Sequence, residues 1–141
     1  MISQYLQFCL NLSRAQAALA RRFDASLGGL HGLGFGDFAI LFHLTQAPEG
    51  RLRRVDLANQ LGLTVSGVTR TLIPLEKRGI VTRQSDPHDA RVAYAVLTPV
   101  GRDLLMDSIS AAEQVSQNAI SRDHVDYLPD LTDVLIRIAE S

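Results

Sequence analysis

Two short helical segments joined by a glycine turn constrain the fold of this 141-residue chain more than any other feature. Residues 55–63 carry apolar side chains at helical spacing, and Gly62 stands where a helix can end in the left-handed conformation. Thr64 is a good N-cap for a second helix, and Gly79 is a suitable terminator for it. We therefore predict two helices that pack across a tight turn.

Two segments with the composition of β-strands follow the second helix. They are residues 80–83 and 92–97, and residues 86–89 between them, Asp-Pro-His-Asp, are typical of a turn. The pattern predicts a β-hairpin. Asp89 and Arg91 stand two residues apart beside the turn, so we expect them on one face of a strand, with the carboxylate holding the guanidinium outward.

Helical patterns flank this central part of the chain. Residues 2–27 carry apolar side chains near the 3.6-residue period, and glycines interrupt the pattern before a second stripe at 38–44. Thr98 and Pro99 combine an N-cap with a proline at the first helical position, and Pro129 precedes a last helix. The predicted fold is mainly α with a small β-hairpin, an α+β arrangement.

Basic residues are concentrated in the middle of the chain. Residues 51–91 contain eight arginine or lysine residues against four acidic ones, a net charge of +4, whereas the whole chain carries -1. The other residues together therefore carry -5. This distribution is expected if only the centre of the chain meets phosphate, although a chance cluster of solvated arginines would look the same.

The order of these elements is that of a winged helix-turn-helix: a short helix, a turn, a second helix with a polar outer face, and a hairpin with arginines. The N-terminal end of the second helix would enter the major groove of DNA, where small or hydrogen-bonding side chains let the backbone approach base edges. An arginine of the hairpin, or wing, would enter the minor groove. The predicted recognition-helix residues are Thr64, Val65, Ser66, Gly67, Thr69 and Arg70, and the predicted wing residues are Arg83, Asp86, His88, Asp89 and Arg91.

Four runs of sequence together resemble the MarR family of transcriptional regulators. They are the helix-turn-helix run at 57–70, Leu-Glu-Lys-Arg-Gly at 75–79, Asp-Pro-His-Asp-Ala-Arg at 86–91 and Leu-Thr-Pro-Val-Gly at 97–101. Each run alone is common, but their order and spacing make a specific joint signal. The resemblance covers nearly the whole chain.

The resemblance implies a homodimer in which the N-terminal and C-terminal helices of two subunits interlock. The apolar stripes of these helices independently favour a dimer, because they exceed what a small winged-helix core covers in one subunit. A twofold dimer would set two recognition helices on a pseudo-palindromic operator. The expected organisation is one unit over 1–141, with a winged helix-turn-helix lobe at 35–98 and helical dimerisation regions at 1–27 and 99–141. The predicted interface residues are Ile2, Leu6, Leu10, Leu128, Leu131, Leu135 and Ile138.

These features predict a sequence-specific, DNA-binding transcriptional regulator rather than an enzyme. Repression is favoured because a helix-turn-helix dimer without a further partner domain acts most simply by occluding a promoter. The resemblance also implies release by a small aromatic or phenolic effector, and chain position suggests His31, Phe35 and Phe38 for its pocket. The sequence has no nucleophile–base pair, cofactor loop or metal-ligand spacing, so we predict no catalytic residue, cofactor or metal.

Two alternative interpretations stay open from the sequence. The winged helix could contact another protein instead of DNA. Cys9 could sense oxidants, since some members of the MarR family do so through one cysteine in the first helix. However, Phe23, Phe35 and Phe38, the aromatic residues taken to lie near it, cannot donate a hydrogen bond to a thiol, and a buried thiol without a polar partner is usually inert.

The compartment follows from what the sequence lacks. It has a single cysteine, no recognisable signal peptide and no apolar run near the roughly 20 residues that a membrane span needs. We therefore expect a cytoplasmic protein without a membrane partner.

Overall fold

The computed structural model describes residues 1–141, except for the side chain of Leu30. In this described chain, six α-helices and three short strands surround one hydrophobic core. The helices are α1 (Gln4–His31), α2 (Phe35–Gln46), α3 (Arg54–Leu61), α4 (Val65–Lys77), α5 (Pro99–Ala119) and α6 (Leu128–Glu140). The strands are β1 (Arg51–Arg53), β2 (Val81–Ser85) and β3 (Ala93–Leu97), and short 3₁₀ helices occupy Pro48–Gly50 and Arg122–Tyr127. The predicted mainly helical fold with a winged helix-turn-helix is confirmed.

Helix α1 begins and ends later than the sequence pattern predicts. Ser3 caps its N-terminus, so Ile2 precedes the helix. The helix runs through the glycine pair at 28–29 and ends at Gly32, which is left-handed with φ 64°. The predicted end near Leu27 is therefore wrong. Each of the two glycines costs about 1 kcal/mol inside a helix, whereas the buried leucines on either side of them, Leu27 and Leu33, contribute roughly 1.5–3 kcal/mol each.

The core lies around α2 and holds the helix-turn-helix against the rest of the fold. Helix α2 buries Ile40, Leu41 and Leu44 completely. The neighbouring helices add side chains that are at most 1% exposed, namely Leu57 of α3, Val68, Leu72 and Leu75 of α4, and Leu105 of α5. Because the buried side of α4 is occupied in this way, its opposite face remains at the surface.

The three strands form one antiparallel sheet in the order β1-β3-β2. Strand β1 is absent from the sequence-based prediction, since three residues are too few to show an alternating pattern. It forms by pairing with β3 much later in the chain, with Arg53 opposite Tyr94. Strand β2 spans Val81–Ser85 rather than 80–83, and β3 begins at Ala93 rather than at residue 92.

Thr98 joins the wing to α5, as its predicted N-cap role requires. Its Oγ1 accepts the Gly101 amide at 3.0 Å and lies 2.6 and 2.8 Å from the carbonyl oxygens of Gly79 and Ile80. Gly101 packs so closely that a Cβ atom there would overlap the Ile80 carbonyl oxygen. The end of α4, the start of β2 and the start of α5 are therefore held together at this point.

Helix α6 packs least against the rest of the chain. Every described residue of α6 is at least partly exposed, although Leu131, Leu135 and Ile138 form an apolar stripe on one face. Pro129 occupies its first turn rather than preceding it. Proline is tolerated there because the backbone N–H groups of the first turn have no intrahelical partner, so the N–H that proline lacks is not missed. Among the described helices, none combines the length and apolarity required to cross a membrane.

Candidate nucleic-acid interface

The N-terminal turn of α4 is exposed and is shaped by a local cap. Thr64 Oγ1 accepts a hydrogen bond from the Gly67 amide at 3.0 Å, which confirms the predicted N-cap. A Cβ atom on residue 67 would stand only 3.3 Å from Thr64 Oγ1, so glycine keeps this turn compact. Val65, Ser66 and Arg70 are exposed and face outward from this end of the helix. The turn thus presents small side chains and one arginine to the surface.

Thr69 differs from the other predicted recognition residues because it is half-buried and already bonded. Its Oγ1 accepts a hydrogen bond from Arg54 Nη1 at 2.9 Å. Arg54 Nη2 lies 2.9 Å from Glu76 Oε1, and the Arg54 side chain is only 12% exposed. Since Arg54 begins α3, its guanidinium connects the two helices of the helix-turn-helix.

The wing turn is organised by Asp86. Its Oδ1 accepts the amides of His88 at 2.7 Å and Asp89 at 3.1 Å, and its Oδ2 accepts the Tyr94 hydroxyl at 3.1 Å. The hydrogen bond from the His88 amide, followed by that from Tyr94, holds the pKa of Asp86 below its ordinary value. It is therefore the ionised form of the Asp86 carboxylate that holds the turn. His88 contributes its backbone here, and its ring is exposed.

Asp89 and Arg91 form the predicted ion pair, but the backbone conformation that carries them differs from the predicted strand. Asp89 Oδ1 accepts hydrogen bonds from Arg91 Nε at 3.1 Å and from the Arg91 amide at 3.0 Å, and these two bonds, the side-chain one first, lower the pKa of Asp89. Both residues lie in the turn and not on one face of a strand, so that expectation was wrong. The Asp86 turn keeps the chain out of the sheet until β3 begins. The Arg91 side chain is 91% exposed, so the pair orients the guanidinium and contributes little stability.

An open groove of about 500 Å³ lies between α4 and the wing. It brings together four predicted site residues, Val65 and Thr69 from α4 and Arg83 and Arg91 from the wing. The other predicted residues lie outside its lining, with Thr64, Ser66, Gly67 and Arg70 along α4 and Asp86, His88 and Asp89 in the wing turn. The remaining lining residues are Arg53, Arg54, Val55, Val92 and Ala93.

Arg53 and Arg54 are groove residues that sequence reasoning missed. Both belong to the junction of β1 and α3, which the sequence analysis did not interpret. Because three residues are too few to show an alternating pattern, the basic side chains at positions 51, 53 and 54 were the available signal for this part of the surface. Arg51 is engaged elsewhere: it pairs with Glu49 at 3.1 Å and lies over the Tyr94 ring at 4.5 Å.

Several arginines of this surface lie outside the ion pairs of the described residues. Within the described part of the chain, Arg53, Arg70 and Arg83 form no ion pair. All three are exposed. Positive charge is therefore available on α4, on the wing and at the β1–α3 junction, on both sides of the groove.

Apolar side chains of α1 and α6 remain at the surface. Six of the predicted interface residues are 46–52% exposed, and Leu128 is half-buried. Between the two helices lies an almost entirely apolar hollow of about 370 Å³, lined by Phe8, Asn11, Leu12, Ala15, Leu131, Val134 and Leu135. Exposed apolar surface of this kind is typical of a protein–protein interface.

The three suggested effector-pocket residues do not meet in one cavity. Phe35 stacks on Phe23, with ring centroids 4.1 Å apart, and lines two hollows beside α1. Phe38 packs against the core, and His31 is the last residue of α1. Neither of these two residues lines the hollows that Phe35 lines.

Cys9 is exposed on α1 and not buried as the sequence analysis assumed. Tyr5 stands one turn earlier on the same helix, so the nearby aromatic residues include a hydroxyl group. Among the described residues, no group of three or more histidine, cysteine, aspartate or glutamate side chains is placed to hold a metal ion.

Comparison with known proteins relates the central part of the chain to a known family. The model of the MarR family matches residues 36–93. The uncharacterised HTH-type transcriptional regulators YdgJ and YkoM of Bacillus subtilis (strain 168) are the curated relatives that match. YdgJ is 27% identical over 99 residues, which cover 70% of this chain and 57% of YdgJ. YkoM is 36% identical over 76 residues, which cover 53% of this chain and 47% of YkoM. The chain thus spans about half the length of these relatives.

Solved structures match over nearly the whole chain. A MarR-family regulator from Rhodococcus sp. RHA1 has a TM-score of 0.86 at 22% identity, over 99% of this chain and 96% of its own. CouR from Rhodococcus jostii RHA1, bound to p-coumaroyl-CoA, has a TM-score of 0.83 at 21% identity, over 94% and 91%. Sco3205, a MarR-family regulator from Streptomyces coelicolor in complex with DNA, has a TM-score of 0.82 at 22% identity, over 96% and 91%. The TM-scores establish the fold, and at these identities they establish nothing beyond it. Residues 36–93 therefore match the model of the MarR family, and nearly the whole chain has the fold of solved MarR-family regulators.

Proposed function

We propose that this protein is a transcriptional regulator that binds a pseudo-palindromic DNA operator as a homodimer, represses by occluding a promoter, and is released by a small aromatic effector. The observation that carries the proposal is the groove between α4 and the wing, where Val65 and Thr69 face Arg83 and Arg91. A helix end with small side chains suits the major groove, and arginines on a wing suit the adjacent minor groove.

The charges of this surface suit a DNA backbone. Arg53 and Arg83 line the groove without a carboxylate partner among the described residues, and Arg70 is equally free on α4. Such guanidiniums can each replace the counterions of a phosphate. Sco3205, which has the same fold, is known in complex with DNA. Together these observations favour DNA over a protein as the partner of the winged helix.

The test is selection of bound fragments from a random duplex pool at about 150 mM salt, where weak electrostatic binding is suppressed. We expect an inverted repeat with half-sites about 10 base pairs apart. The double variant Arg70→Ala, Arg83→Ala should lose most of the affinity for that operator. Arg137→Ala is the matched control, since Arg137 lies on α6 and pairs with Asp133. Equal operator affinity of the double variant and the wild type would refute the proposal.

Salt dependence separates DNA binding from a protein–protein role. Contacts to ~6 phosphates should reduce operator affinity by about three decades between 50 and 200 mM salt. Binding that changes by less than about tenfold over this range would instead support the protein-interaction alternative.

The dimer proposal depends on the exposed apolar faces of α1 and α6. Leu135 and Ile138 are each 46% exposed, and Leu135 also lines the hollow against α1. We expect a solution mass of about twice 15.4 kDa, and dissociation when Leu135→Glu and Ile138→Glu are combined. Ile73→Glu is a suitable control, because Ile73 is equally exposed but lies on α4. Light scattering coupled to size exclusion measures both masses, and an unchanged dimer in the double variant would contradict this interface.

The effector proposal rests on a hollow of about 260 Å³ that Phe35 lines together with Asp24 of α1 and Thr71 of α4. A ligand there would contact both the dimerisation helix and the recognition helix. CouR, a protein of the same fold, binds p-coumaroyl-CoA, which carries a phenolic ring. We expect at least one member of a panel of p-coumaroyl-CoA and simple phenolic acids to release the operator.

The response of two phenylalanine variants tests the location of this pocket. Phe35→Ala should abolish release by the active compound. Phe42→Ala should retain release, because Phe42 lies on the same helix but is 43% exposed and lies outside the lining of this hollow. If the compound releases the Phe35→Ala variant from the operator at the same concentration that releases the wild type, this hollow is excluded as the effector site.

A further inference from the structure

Arg54 is a groove residue whose charge is not available to phosphate. Its guanidinium donates to Thr69 Oγ1 and to Glu76 Oε1, both at 2.9 Å. Thr69 and Glu76 lie two helical turns apart on α4, so one side chain from α3 holds the recognition helix at two points. The Glu76 carboxylate neutralises the charge that Arg54 would otherwise present to DNA.

Stability alone does not account for this arrangement. Arg54 Nε is buried and has no hydrogen-bond partner among the described residues. A buried N–H without a partner is destabilising, and replacing a buried ion pair with apolar side chains is often neutral or stabilising. The pair is therefore better explained by the orientation it imposes on α4 and on the Thr69 side chain.

The hydroxyl of Thr69 is used differently from those of two other helical threonines. Thr45 Oγ1 and Thr71 Oγ1 each donate to the carbonyl oxygen four residues earlier, at 2.9 and 3.1 Å. Thr69 Oγ1 accepts from Arg54 instead, and its hydrogen is donated to no acceptor among the described residues. A charged donor on the oxygen polarises the hydroxyl and makes it a better donor. Thr69 also lines the groove.

We infer that Thr69 is a specificity-determining residue that donates a hydrogen bond to a base acceptor in the major groove, and that Arg54 is the positioning residue that holds its hydroxyl in this role. This inference rests on the proposed function. Guanine, adenine and thymine each present an acceptor at the major-groove edge, whereas cytosine presents only an amino donor. One position of each half-site should therefore disfavour cytosine on the contacted strand.

The experiment compares operator selection from a random duplex pool for the wild type, Thr69→Val and Thr69→Ser. Valine keeps the shape of threonine without the hydroxyl, and serine restores the hydroxyl. We expect Thr69→Val to lose the preference at one position per half-site, and Thr69→Ser to keep it. The loss of affinity for the selected operator should exceed the loss for a scrambled duplex by about tenfold.

Arg54 is tested by removing both partners of the ion pair, so that no buried charge is left alone. The double variant Arg54→Met, Glu76→Met should lose the same base preference, and adding Thr69→Val to it should cause no further loss. Arg54→Lys is the second variant in case the double variant does not fold. Lysine keeps the charge beside Glu76 but lacks the fork that reaches both partners, so it too should lose the preference.

The outcomes separate this inference from the proposed function. If the wild type selects an operator and Thr69→Val selects the same bases at every position, the role of Thr69 is refuted. If only Thr69→Val loses the preference while both Arg54 variants keep it, the role of Arg54 is refuted. If the wild type enriches no sequence, the proposed function fails and the inference fails with it.

Discussion

Arg78, which caps the C-terminus of α4, donates a hydrogen bond from Nη1 to the carbonyl oxygen of Gly32 at 2.7 Å. Gly32 is the left-handed residue that ends α1. Arg78 Nη2 also reaches the carbonyl oxygen of His31 at 3.5 Å. The C-terminus of a helix carries partial negative charge, which favours a guanidinium at this point. The C-terminal end of α4 is thus attached to the proposed dimerisation helix.

Removing this attachment should weaken operator binding more than it weakens the fold. We expect Arg78→Ala to cost about 1 kcal/mol in the free energy of unfolding and to lower operator affinity severalfold, because α4 loses a contact that fixes its orientation. Lys77→Ala is the matched control, since it removes a positive charge from the same helix end without touching α1. Chemical denaturation and fluorescence anisotropy measure the two effects, and equal operator affinities for both variants would contradict the role assigned to Arg78.

Gly101→Ala should destabilise the protein, because the new Cβ atom would overlap the Ile80 carbonyl oxygen and the Leu97 side chain. Overpacking of this kind typically costs about 1–3 kcal/mol. Gly36→Ala provides the comparison, since a Cβ atom there meets no described atom within 4 Å and a helical alanine gains up to about 1 kcal/mol over glycine. Thermal unfolding should give the highest melting temperature for Gly36→Ala, an intermediate one for the wild type and the lowest for Gly101→Ala. A melting temperature of Gly101→Ala at or above that of the wild type would show that α5 can move away from Ile80.

The wing turn should depend on the charge of Asp86. Because its pKa is lowered in the folded state, mainly by the His88 amide, the ionised form stabilises the fold above the ordinary pKa of 3.8. This contribution is lost as the pH falls through the lowered pKa. Asp86→Asn keeps an acceptor for the two amides but cannot titrate. The difference in melting temperature between wild type and Asp86→Asn should therefore shrink from pH 6 towards pH 2, whereas a constant difference would mean that the charge is unimportant.

Arg53 should contribute to the salt dependence of DNA binding, whereas Arg51 should not. Arg53 lines the groove and is unpaired among the described residues, but Arg51 is occupied by Glu49, Gln84 and the Tyr94 ring. We expect Arg53→Ala to reduce the slope of log affinity against log salt by about 0.9, the value for one phosphate contact. Arg51→Ala should leave the slope unchanged. A titration series from 50 to 200 mM salt measures both slopes, and a larger change for Arg51→Ala would contradict the assigned contacts.

The sequence predicted best those features that depend on neighbours along the chain. The caps at Thr64 and Thr98 and the left-handed glycine at Gly62 involve hydrogen bonds within a few residues, so their residue types identify them directly. The ion pair of Asp89 and Arg91 is similarly local, although the backbone beneath it differs from the expectation.

The sequence by itself therefore determined where the recognition helix begins and that a hairpin follows it, because caps and turns are local interactions. Only the tertiary structure decided that α1 continues to His31, that β1 exists by pairing with β3, and that Arg54 holds Thr69. In each of these cases the stabilising contact comes from a distant part of the chain, either through burial against the core or through a hydrogen bond across elements. Such contacts leave no periodic pattern in the residues that form them.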